Sequence, residues 1–144
     1  MDTQASEAVP ALIRCLDDDS HRVVRTVLDA LGAIGGDGDE LTSRIGRFLV
    51  ESRPEWDQPL HERPNWPPRD QVRANAATAL ARLRNGVSTV ENELIQALDD
   101  PCGYVGLLAT DALQHMESST AQQAVLDLVM AQRWDPSLGE GRPY

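Results

Sequence analysis

Residues 9–37 read VPALIRCLDDDSHRVVRTVLDALGAIGGD and contain two helical stripes joined by a turn. Val9, Leu12, Ile13 and Leu16 recur at i, i+3, i+4 and i+7, the spacing of one helix face. Asp17, Asp18, Asp19 and Ser20 interrupt them with residues that favour turns and N-caps. Val23, Val24, Val27, Leu28, Leu31 and Ile34 then line a second face, and Gly35-Gly36 closes it, as expected where a chain leaves a helix through a left-handed conformation. The unit is a helical hairpin with an apolar side on each arm.

The pattern recurs down the chain. Asp37 to Glu40 opens a stripe of Leu41, Ile45, Phe48 and Leu49. Val72, Ala76, Ala79, Leu80 and Leu83 mark the next helix, which stops at Asn85-Gly86. Ser88-Thr-Val-Glu91 has the form of a capping box and starts the stripe Val90, Leu94, Ile95 and Leu98. Asp100 and Pro101 are the expected cap and first position of a helix carrying Val105, Leu108, Ala109, Ala112, Leu113 and Met116. A second box, Ser119-Thr-Ala-Gln122, starts the last helix with Val125, Leu128 and Val129. The hairpins superimpose: Leu12, Ile13, Leu16, Asp17 and Asp18 fall on Leu94, Ile95, Leu98, Asp99 and Asp100. Val23, Val72 and Val105 fall in step, as do Ala30-Leu31, Ala79-Leu80 and Ala112-Leu113. One such pair cannot bury its apolar faces alone, whereas stacked copies can.

These residues resemble HEAT repeats, especially the short bacterial kind of the phycobilin lyases. The family pattern sets L-x-x-L-x-D near the first helix and V-R-x-x-A-x-x-A-L-G-x-I-G in the second. VRANAATALARL at 72–83 is similar to the second half, with Arg73 at the pattern's arginine, a residue that holds a turn in the family. Val24 and Gly106 stand at that position in the other repeats. The resemblance implies an all-α fold, an α-solenoid built as a right-handed superhelix of antiparallel helix pairs. Seven helices, or about three and a half HEAT-like repeats, would form a single domain over residues 1–132, with an irregular tail at 133–144. The family includes scaffolds, chromophore lyases and DNA-repair enzymes, so function does not follow from fold.

A proline-rich insertion, residues 53–69, separates the second repeat's two helices. It lies within SRPEWDQPLHERPNWPPRD (52–70), whose prolines bar a helix or central strand from running through. A long loop in a compact repeat array is often functional. Trp56 and Trp66 either fold back over apolar surface or present an aromatic anchor to a partner, as Trp beside Arg and Pro does at binding hot spots.

Composition narrows the function classes. The net charge of −10 repels phosphate backbones and anionic membranes, which argues against nucleic-acid and membrane binding. Aromatic residues are only 4% of the chain, so Leu, Val, Ile and Ala must fill the interior. Every basic residue is arginine, which suits forked contacts with carboxylates. Cys15 and Cys102 form no CxxC motif, and the first residues lack a signal peptide's basic start and apolar run, so a cytoplasmic protein with reduced thiols is expected. His21, His61 and His115 lie apart, and Asp17–Asp19 lacks the alternating oxygen ligands of a calcium loop. No metal, cofactor or catalytic constellation is expected, and the chain is read as a non-enzyme.

What remains is a protein-binding module, an adaptor, scaffold or inhibitor. In stacks of this kind the second helices line the concave face. The candidate contact residues there are Arg22, Arg25, Asp29, Arg73, Arg82, Tyr104, Asp111 and His115, joined by Trp56 and Trp66 from the insertion. They fall into ridges: Arg22/Gln71/Tyr104, Thr26/Asn75/Leu108, Asp29/Thr78/Asp111 and Ala33/Arg82/His115. Trp134 is expected to cap the end of the stack. A monomer is expected, with self-association through an exposed stack end as the alternative. Two rival functions are an enzyme or lyase subunit acting on a bound chromophore or nucleobase, and an end-piece of a larger helical assembly.

Overall fold

The structure, a computed structural model, describes residues 3–36, 38–57, 66–83 and 87–132. They form seven α-helices: α1 (Thr3–Cys15), α2 (His21–Ile34), α3 (Asp39–Val50), α4 (Pro68–Leu83), α5 (Glu91–Ala97), α6 (Gly103–Gln114) and α7 (Ser119–Gln132). Two 3-10 turns, Pro54–Trp56 and Val87–Val90, accompany them, and there is no strand among the described residues. The chain is all-α. His61, Asn85-Gly86, Trp134 and the proposed tail at 133–144 lie outside the described residues.

Contacts sort the helices into two rows. α4 touches both α2 and α6, while α1 packs on α2, α3 on α4 and α5 on α6. α3 also meets α5, and α7 meets α5 and α6. With neighbours on three sides, α4 must be thin, and Ala74, Ala76, Ala77, Ala79 and Ala81 are all buried in it. Gly32 of α2 packs closely on α4: a methyl group added there would lie 2.9 Å from the Ala79 Cα. Leu16, Leu28, Leu31, Ile45, Leu80, Leu94 and Leu113 fill the space between the rows, each almost wholly buried.

The turns repeat as the sequence repeats. Asp18 Oδ1 accepts the Ser20 amide at 2.8 Å, and Asp100 Oδ1 accepts the Cys102 amide at 2.8 Å. Both are side-chain-mediated turns, two residues long, at matching points of the first and third hairpins. They also displace the expected caps. Ser20 precedes α2 without a side-chain cap, and α6 starts at Gly103 rather than Pro101. Gly35 closes α2 at φ 75°, a conformation glycine adopts without strain, and its amide reaches the Leu31 carbonyl at 3.1 Å.

Neither capping box forms as written. Val87–Val90 winds into a 3-10 turn, and α5 begins at Glu91 with no side chain capping it. Positions i and i+3 eclipse in such a turn, so Val87 and Val90 are buried together. The second box is shifted by one residue. Ser118 Oγ accepts the Ala121 amide at 3.3 Å, and the Ser118 carbonyl accepts the Gln122 amide at 3.0 Å. Ser118 also donates to the Glu91 carboxylate, tying the start of α7 to the start of α5. Among the described residues, no helix is long and apolar enough to cross a membrane.

Candidate functional site

The two described tryptophans of the insertion take different roles. Pro54 initiates the 3-10 turn that swings Trp56 inward, where it is 2% exposed. Its ring stacks on Phe48 with centroids 6.2 Å apart, and its Nε1 donates to the Asp19 carbonyl at 2.9 Å. The Arg53 guanidinium lies 4.6 Å from the ring centroid and donates to the carbonyls of Leu16, at 3.0 Å, and Asp18. Trp56 and Arg53 thus satisfy carbonyls left free where α1 ends. Buried in this way, Trp56 is a structural residue and not the partner contact expected of it. Arg44, bonded to Asp17 at 2.7 Å, helps to line the shallow cavity beside the Trp56 ring.

Trp66 lies against α6 instead. Its ring meets Tyr104 edge-on, with centroids 6.2 Å apart and planes at 89°, an arrangement that sets a positive ring edge against a negative face. Trp66 is half-buried and Tyr104 is 54% exposed. The Trp66 carbonyl accepts Gln71 Nε2 at 2.8 Å, while Gln71 Oε1 accepts Arg25 Nη1. Arg25 Nε donates to Asn75 Oδ1 at 3.2 Å. A polar chain therefore runs from α2 through α4 to the insertion, and the aromatic pair carries it on to α6.

This chain rearranges the expected ridges. Gln71, expected on the surface, is 2% exposed because the Trp66 backbone and Arg25 cover it. Arg25 is half-buried and occupied by the two α4 amides, so it links helices rather than facing a partner. Arg73 is likewise occupied, lying 2.8 Å from both Asp70 and Asp100. Through Asp100 it holds the turn between α5 and α6. At the matching positions Val24 is fully buried, and a methyl group at Gly106 would come within 2.9 Å of the Leu98 carbonyl oxygen. Neither site has room for an arginine.

Arg22, Asp29, Arg82, Asp111 and His115 remain exposed, and Tyr104 stands among them. His115 Nδ1 is 2.7 Å from the Asp111 carbonyl, one turn earlier in α6. Asn75 and Thr78 of α4 are half-buried between the exposed rows of α2 and α6. His21, at the first turn of α2, has its pKa lowered by burial and, to a lesser degree, by Arg22 and Arg25. Sequence reasoning passed over Phe48 and Arg53 as partners of Trp56. The signal for Arg53 was its place directly before Pro54-Glu55-Trp56, one turn from the buried ring.

Among the described residues, no three His, Cys, Asp or Glu side chains converge so as to hold a metal ion, and both cysteines are free thiols. No protein-family model matches the chain, and no curated protein matches it.

Proposed function

We propose that the chain is a HEAT-like α-solenoid that serves as a non-catalytic protein-binding module, an adaptor or inhibitor, recognising a protein through the face carried by α2, α4 and α6. The observation that supports this most is the Tyr104 ring, more than half exposed while held edge-on by Trp66. An aromatic side chain fixed before binding loses little freedom on contact, and Tyr, Trp and Arg dominate binding hot spots. Arg22 and Arg82, with Asp29 and Asp111, give this anchor a rim of both charges. Such a rim suits a protein surface better than a polyanion.

The test is affinity capture with the full chain, followed by identification of the retained protein. Tyr104→Ala should release that protein at least tenfold faster while circular dichroism and melting stay as in the wild type. Arg22→Ala combined with Arg82→Ala should weaken capture less and make it less sensitive to salt. Retention of the same partner by all three substitutions together would place the contact surface elsewhere.

A further inference from the structure

Tyr104 owes its place to residues outside α6. In the repeat register it corresponds to Gln71 on α4, and Leu108 corresponds to Asn75. Across the α2–α4 junction Arg25 bonds both of those amides, Gln71 through Nη1 and Asn75 through Nε. One repeat on, the place of Arg25 is taken by Ala74, which is buried. A methyl group makes no hydrogen bond, so α4 gives Tyr104 no counterpart of Arg25 at that position. The Trp66 ring meets the tyrosine instead.

Prolines leave the Trp66 carbonyl to a side chain. Pro67 confines the Trp66 backbone to extended conformations, and neither Pro67 nor Pro68 has an amide hydrogen. The Pro67 carbonyl opens α4 by accepting the amides of Asp70 at 3.0 Å and Gln71 at 3.3 Å. The Trp66 carbonyl, one residue farther out, accepts Gln71 Nε2 at 2.8 Å. Buried Gln71 therefore faces two partners of opposite kind. Arg25 can only donate and the carbonyl can only accept, which leaves the amide one orientation. Neither a carboxylate nor a thioether of that length can donate to the carbonyl.

We propose that Gln71 is a positioning residue for the partner surface. By donating to the Trp66 backbone it holds the Trp66 ring against Tyr104, and so fixes the tyrosine before a partner arrives. The inference rests on the reading of Tyr104 as the contact residue. Arg25 acts one step back, turning the nitrogen of the Gln71 amide toward the insertion. A tyrosine released from the Trp66 ring must be immobilised on binding, which lowers affinity about two- to tenfold without removing any contact to the partner.

Nuclear Overhauser contacts between the Trp66 and Tyr104 rings, measured on the full chain without a partner, read the position directly. Gln71→Glu keeps an acceptor for Arg25 and should abolish these contacts with helical content unchanged. Gln71→Met, uncharged and of similar length, should do the same and serves if the glutamate fails to fold. Affinity for the captured protein should fall about two- to tenfold in either variant. Combined with Tyr104→Ala, neither should weaken capture beyond Tyr104→Ala alone, because both changes act through one side chain. Ring contacts that persist in both variants overturn the proposal, and so does an equal loss of capture with and without Tyr104. If Tyr104→Ala leaves capture unchanged, the reading of the surface fails, and the ring contacts in the free chain still decide what Gln71 holds.

Discussion

Trp56 and Trp66 leave one short segment for different surroundings, and their substitutions should separate accordingly. Trp56→Ala removes a buried indole and should cost about 3–5 kcal/mol in denaturant unfolding. Trp56→Phe keeps the stacking on Phe48 and loses the bond to the Asp19 carbonyl, for about 1 kcal/mol. Nothing in the local sequence distinguishes the two, because each lies beside proline, arginine and acids. What decides is the distance back to free carbonyls at the end of α1, a tertiary quantity. His21 makes a second prediction. Its pKa is lowered in the fold, so between that value and the ordinary 6.5 the unfolded chain binds more protons. The histidine's contribution to stability is therefore present above pH 6.5 and lost as pH falls toward the folded value. His21→Gln should flatten that part of a stability–pH curve measured from pH 7.5 to 5 (roughly the histidine range).

At the scale of elements, the spacing of apolar residues carries most of the information. All seven stripes become helices, and the Asp18 and Asp100 turns match as their sequences do. Helix starts were less legible. A capping box needs an extended residue at its N-cap, and burial of Val87 and Val90 imposed a 3-10 turn there instead. Gln71 was misassigned for a related reason: its helix position faces outward until the insertion returns over it. Gly32→Ala should cost about 1–3 kcal/mol, because the new methyl group meets the Ala79 backbone, which cannot rotate away. Gly46→Ala should behave similarly against the Val90 side chain, where the added carbon would lie 2.9 Å from Cβ. Arg73→Met leaves the nearly buried Asp100 carboxylate without its cation and should cost up to about 3 kcal/mol, more than Arg73→Lys.

At the scale of the whole molecule, an acidic surface with a net charge of −10 encloses an apolar interior of Leu, Val, Ile and Ala. The insertion has its own consequence at this scale. Arg53 and Trp56 tie one margin to the end of α1, while Trp66 ties the other to α4 and α6. The two margins are therefore held by separate contacts, so that loss of one mooring, as in Trp56→Ala, leaves the Trp66–Tyr104 contact in place.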